Sequence, residues 1–160
     1  CPWSNQLPSL FSVSLSLITE AQISIRPNHV YVEVLGTGGF GSIQYERQLL
    51  KKIKLNLHGG LGAYYDIGTY FSGILGVTYL EPTKWQNRFI EFGFSVSATP
   101  SEVTYYSPDE IVEGLTRYMP HVGFRWYTKK KWVWRTSLLA VMQRGEGATP
   151  WLGFSVGKNF

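Results

Sequence analysis

Pro150-Trp-Leu-Gly-Phe-Ser-Val-Gly-Lys-Asn-Phe160 is the stretch on which the reading of this chain turns. As a β-strand it sends Leu152, Phe154, Val156 and Phe160 to one face. Trp151, Gly153, Ser155, Gly157 and Asn159 go to the other, because successive strand side chains point to opposite sides of a sheet. A last strand that is apolar on one face, small or polar on the other, and ends on an aromatic is how a transmembrane β-barrel closes onto its first strand. The reading therefore depends on whether the pattern recurs upstream.

It does recur. From His29 the chain divides into segments of roughly ten residues, the length a tilted strand needs to cross a bilayer. These are His29–Gly36, Phe40–Leu49, Lys52–Tyr64, Thr69–Leu80, Arg88–Ala98, Thr116–Tyr127, Trp132–Met142 and the terminal segment. Turn residues separate them: Thr37-Gly38-Gly39, Asp66-Ile67-Gly68, Glu81-Pro82-Thr83-Lys84, the Lys129–Lys131 triplet and Arg144-Gly145-Glu146-Gly147. The longest connection, Thr99–Leu115, follows the fifth segment, and no segment reads as a helix. An even number of antiparallel strands joined by hairpins is the plan of bacterial outer-membrane barrels.

The faces repeat as well. Ile53, Leu55, Leu57 and Leu61 alternate with Lys52, Lys54, Asn56 and His58; Ile90, Phe92, Phe94 and Val96 alternate with Glu91, Gly93, Ser95 and Ser97. Tyr118, Val122, Phe124 and Trp126 alternate with Arg117, His121, Gly123 and Arg125. One face is aliphatic and aromatic, while the other holds Gly, Ser and isolated charges. In a soluble lipocalin-like barrel or sandwich the apolar face would be the interior, and in an outer-membrane barrel the two are reversed. Three features favour the reversed arrangement. The polar face is poor in charge for a solvated surface. Aromatics gather near strand ends (Tyr64, Tyr65, Tyr70, Tyr79, Trp85, Trp126, Tyr127, Trp132, Trp134 and Trp151), as in interfacial girdles. The connections after the second, fourth and sixth strands are short, although the opening turn Gly36–Gly39 is short too.

Composition agrees. The 160 residues are 16% aromatic and only 16% charged, with 17 glycines, against roughly 25% charged in an average soluble domain. No apolar run is long enough for a transmembrane helix. The net charge is +4, but the lysines sit at turns and the arginines are spread along strands, so nucleic acid is not expected as a partner. The single cysteine, Cys1, rules out an intrachain disulfide. Leu7–Ile18, followed by Thr19-Glu20-Ala21-Gln22, reads as the apolar core of a secretory signal ending at a small-x-small site, so residues 1–22 are expected to be a signal-peptide remnant and 23–160 the barrel domain. The competing reading of the first segment is a strand, with Phe11, Val13, Leu15 and Leu17 alternating with Ser12, Ser14 and Ser16.

Val30-Tyr-Val-Glu-Val-Leu-Gly36, Gly39-Phe-Gly-Ser-Ile-Gln-Tyr-Glu-Arg47, Phe89-Ile-Glu-Phe-Gly-Phe94, Pro120-His-Val-Gly-Phe-Arg-Trp-Tyr127 and Gly153–Phe160 together resemble the small OmpA/OmpX-type outer-membrane β-barrel proteins from roughly His29 onward. The resemblance implies an all-β, eight-stranded antiparallel transmembrane barrel in a Gram-negative cell envelope, surrounded by outer-membrane lipid and lipopolysaccharide, and monomeric. It implies further that Phe160 resembles the terminal signal read by the barrel-assembly machinery, from which Lys158 departs.

An interior of eight strands is just wide enough to be filled by side chains. Glu33, Glu46 and Glu91 are expected to face Arg117, Arg125 and Arg135 there, with Lys54 in addition. Buried charges must be paired or the cost is several kcal/mol each, so the expectation is a plugging ion-pair network rather than a pore. A lipid A deacylase or acyltransferase is the competing class. It would need a serine beside His29, His58 or His121, and no such spacing is recognisable. There is no metal-ligand spacing and no phosphate loop, so neither cofactor nor metal is expected. The reading is therefore non-enzymatic, with function in the barrel itself or in its loops. The Thr99–Leu115 connection offers Glu102, Tyr105, Tyr106, Asp109, Glu110 and Glu113 as binding candidates.

Overall fold

A computed structural model describes residues 27–50, 54–65, 69–99, 102–103, 111–112, 114–145 and 147–160. The signal-like segment 1–22, Cys1, and loop candidates Tyr105, Tyr106, Asp109, Glu110 and Glu113 lie outside them, as does the side chain of Glu102.

The described strands are β1 (Asn28–Gly36), β2 (Gly39–Leu50), β3 (Leu55–Tyr65), β4 (Thr69–Pro82), β5 (Arg88–Thr99), β6 (Glu102–Val103), β7 (Ile111–Val112), β8 (Leu115–Tyr127), β9 (Trp132–Gln143) and β10 (Thr149–Asn159). Eight of them form one closed antiparallel barrel in the order β1-β10-β9-β8-β5-β4-β3-β2. The last strand closes on the first, with His29 opposite Asn159 and Val34 opposite Phe154. Closure leaves no strand edge with unpaired N–H and C=O groups. The remaining two strands, β6 and β7, pair as a small ribbon outside the barrel wall. Each is two residues long, too short for an alternating pattern to reveal it in the sequence.

The barrel is inside out. Among the described residues, 19 buried side chains are polar or charged and 8 are apolar, the reverse of a water-soluble core. The outer wall carries Ile43, Leu61, Phe71 and Leu75, each more than 60% exposed, on three neighbouring strands. Ile90, Phe92, Phe94, Leu152 and Phe154 are exposed on the same wall. A continuous apolar belt of this kind far exceeds what soluble monomers expose.

Two details depart from the sequence reading. Tyr127 is not a girdle residue; it is buried inside the barrel with Leu80, Phe89 and Val133. The contrast between short and long connections also rests on one loop. Thr37–Gly38 and residues 66–68 are as short as the turns at the opposite end, and only the Thr99–Leu115 connection is long.

Candidate functional site

The lumen is layered along the barrel axis. At the end where β1 starts and β10 finishes, with the β4–β5 and β8–β9 turns, Leu80, Phe89, Tyr127 and Val133 form an apolar plug. The Phe89 and Tyr127 rings meet edge to face at 5.6 Å, and the His29 ring lies 5.6 Å from Tyr127. Lys54 is not a lumen charge. It sits in the β2–β3 turn with its Nζ 5.8 Å from the Phe89 ring centre. The plug is built from strand-end residues of inward parity, and in sequence these look the same as interfacial aromatics.

Next comes a belt of four charges. Arg125 and Arg135 are direct neighbours across β8 and β9, a juxtaposition that repels unless compensated. Two carboxylates compensate it. Glu91 on β5 accepts from Arg125 Nε at 2.8 Å and from Arg135 Nη2 at 3.1 Å. Glu46 on β2 accepts from Arg125 Nη2 at 3.0 Å and also from its Nη1. Arg135 Nη1 comes within 3.7 Å of Glu46. Asn56 donates to Glu46 at 2.8 Å, which satisfies a further lone pair. Glu46 and Glu91 are fully buried and Arg125 is 1% exposed, so each charge removed from water has an opposite partner, although Arg135 Nη1 makes no hydrogen bond. The Arg135 guanidinium also stacks 4.6 Å from the Tyr31 ring centre.

Above the belt the network continues with neutral groups. Tyr31 donates to Gln44 Oε1 at 2.9 Å, and Gln44 Nε2 donates to Glu33 at 2.7 Å. Glu33 is not paired as the sequence reading expected. Its Oε2 accepts from the Thr37 N–H at 2.8 Å and the Thr37 hydroxyl at 2.7 Å, and among the described residues no arginine reaches it. It ties the tip of the first hairpin to the lumen. Arg117 lies toward the other end of β8, opposite Gln143 on β9 and Ser97 on β5, and is not part of the four-charge belt.

A serine–histidine contact is present that sequence spacing does not reveal. Ser95 Oγ lies 3.0 Å from His58 Nε2. The pair joins β5 and β3, two strands apart in the barrel order, so no local motif could mark it. His58 Nδ1 faces Thr78 Oγ1 at 3.4 Å rather than a carboxylate, and both members are buried inside the barrel. The room for the imidazoles comes from glycine: a Cβ at Gly76 would run into His58, and one at Gly93 into His121. No cluster with metal-ligand geometry occurs among the described residues.

Phe160 is exposed on the outer wall, and its N–H donates to the Asn28 carbonyl at 3.0 Å. Lys158, two residues earlier, points outward with its Nζ 5.9 Å from the Trp132 ring centre.

An apolar outer wall, a charge-paired interior and full antiparallel closure define the class: an inside-out, eight-stranded barrel. Among solved structures the chain is similar to the N-terminal β-barrel domain of OprF from Pseudomonas aeruginosa, at 16% identity and a TM-score of 0.62, over 83% of this chain and 95% of that one. At that identity the likeness concerns the fold, and at that level the resemblance to OmpA/OmpX-type barrels holds. No protein-family model matches the chain. No curated protein matches it either.

Proposed function

We propose that the chain is an integral outer-membrane β-barrel protein, closed to solutes and non-enzymatic, whose role lies in the envelope itself or in binding through its long loop. The observation that carries this reading is the inversion of the barrel: apolar side chains outside, and Glu46, Glu91, Arg125 and Arg135 paired inside. In water such an outer wall would drive association, whereas in lipid it is the required surface. The ion-paired belt and the apolar plug occupy the space that a pore or a substrate would need. The Ser95–His58 pair sits in that filled interior, out of reach of an acyl chain on the outer wall, which supports the non-enzymatic reading over a lipid A deacylase.

For loop-mediated binding the support is the β6–β7 pairing within the Thr99–Leu115 connection, Glu102 opposite Val112 and Val103 opposite Ile111. Its acidic and tyrosine residues, Glu102, Tyr105, Tyr106, Asp109, Glu110 and Glu113, would present carboxylates and amphipathic rings to a protein, a glycan or a cation bridging lipopolysaccharide. Phe160 is the proposed contact for the barrel-assembly machinery.

Fractionation with and without detergent, together with mass spectrometry of lipid A from cells that do or do not express the protein, tests the proposal. Recovery only from detergent-extracted outer membranes and unchanged lipid A acylation are expected. Recovery from the soluble fraction, or an altered acyl chain that returns to normal on His58→Ala, would contradict it.

A further inference from the structure

We propose that the barrel rim at the β8–β9 turn binds an anionic glycerophospholipid, its phosphate held by Lys129 and Lys130 and one acyl chain laid against Trp134 and Val156. The proposal rests on the membrane reading given above.

An open groove of about 390 Å³ runs there, lined by Thr128, Lys129, Lys130, Trp132, Trp134 and Val156. Its two ends differ in chemistry. Toward the middle of the wall, Trp134 and Val156 stand side by side on β9 and β10, and the Trp134 ring stacks nearly parallel on Trp126 at 6.3 Å. Trp126, Trp134 and Val156 thus form an apolar floor across three neighbouring strands, and Trp132, two residues from Trp134 on β9, continues it along that strand to the rim. At the rim, Lys129 and Lys130 are exposed in the turn, and a third ammonium, that of Lys158, borders the groove over Trp132.

The turn is held in place. The Thr128 hydroxyl accepts from the Trp132 N–H at 3.1 Å, and Lys131 takes the left-handed region at φ 67°, with its N–H on the Thr128 carbonyl and its own carbonyl accepting from Asn159 N–H. Lys129 and Lys130 are therefore carried at a fixed corner above the tryptophan floor. Among the described residues no carboxylate lines the groove. An occupant must be apolar at one end and anionic at the other, at the spacing of the bilayer interface. That is a phospholipid with a negatively charged headgroup, because a zwitterionic headgroup would bring its own ammonium beside the lysines. The end with uniformly short turns is the periplasmic one in barrels of this type, which points to the phospholipid leaflet rather than to lipopolysaccharide.

The test is quenching of tryptophan fluorescence in the whole protein, reconstituted in vesicles containing either brominated phosphatidylglycerol or brominated phosphatidylcholine. Wild-type protein should prefer the glycerol lipid, and the preference should fall roughly fivefold for each of Lys129→Ala and Lys130→Ala. Lys84→Ala, on the neighbouring β4–β5 turn, should leave it unchanged. Equal quenching by both lipids in wild type, or an equal loss in Lys84→Ala, overturns the site while leaving the membrane reading intact. Quenching by neither lipid overturns both. Stronger competition by lipopolysaccharide than by unlabelled phosphatidylglycerol, dependent on the same two lysines, overturns the assignment to phospholipid.

Discussion

Arg125 on β8 grips Glu46 on β2, 79 residues away in sequence and directly opposite in the ring of eight strands, with both terminal guanidinium nitrogens. A side chain that spans the barrel does two things at once. It crosses the interior, and it ties together strands that no backbone hydrogen bond joins. Glu91 then fixes the same arginine from the adjacent strand, so Arg125 is the hub of the belt.

The hub makes the acids unequal. Glu91 compensates two neighbouring arginines, and Glu91→Ala leaves both short of charge in a buried site. The expected loss is about 3–5 kcal/mol, read as a lower urea midpoint and loss of heat-modifiable gel mobility. Among the described residues Glu33 accepts from neutral donors. Glu33→Gln should cost no more than about 1–3 kcal/mol. Equal losses in the two variants would contradict the assigned pairing.

If the lumen is closed as proposed, the plug and the belt should each be enough to close it. Phe89→Ala removes a ring packed against Tyr127 and should destabilise the barrel by about 3–5 kcal/mol. Planar-bilayer recordings of that variant should still show no steady conductance, since Arg125 continues to bridge the interior. A stable conducting state in Phe89→Ala alone would show that the belt does not seal.

Glycines on the wall differ by what lies beside them. A Cβ at Gly93 would meet the His121 ring and come within 2.7 Å of the Val77 carbonyl oxygen, whereas at Gly73 it would meet nothing within 4 Å. Gly93→Ala should cost about 1–3 kcal/mol through overpacking, and Gly73→Ala should be tolerated to within about 0.5 kcal/mol. Refolding yield and urea midpoint in detergent compare them directly.

Much of this was legible in the sequence, and the failures have a common cause. The period of two set the strands and the outer apolar face, because outward-facing positions such as Ile90, Phe92 and Phe94 are apolar without interruption. The same parity puts Glu46, Glu91, Arg125 and Arg135 inside. Which acid meets which arginine depends on barrel closure and side-chain reach, which no local pattern encodes. Hence Glu33 was expected to pair with an arginine and instead meets its own hairpin at Thr37. Tyr127 and Phe89 escaped for another reason. An aromatic at a strand end reads alike whether it plugs the lumen or sits at the interface, and only its partners distinguish the two cases.

If the apolar wall is the lipid face, charge placed there should be costly according to depth. Phe92→Arg, near the middle of β5, should destabilise the barrel in bilayers by about 2–4 kcal/mol, and a charge at Trp132 near the rim by about 1 kcal/mol or less. Reversible unfolding from phospholipid vesicles measures both, and equal costs would argue against a depth gradient.

The most direct measurement of the central claim is a spin-label scan along β5 in reconstituted vesicles, reading accessibility to oxygen and to a water-soluble nickel chelate at each position from 90 to 95. A membrane barrel with a side-chain-filled lumen should give high oxygen and low nickel accessibility at 90, 92 and 94, with both low at 91, 93 and 95. Low oxygen accessibility at 90, 92 and 94 combined with high nickel accessibility at 91, 93 and 95 would mean that the apolar face is an interior and the polar face meets water, contradicting the membrane barrel.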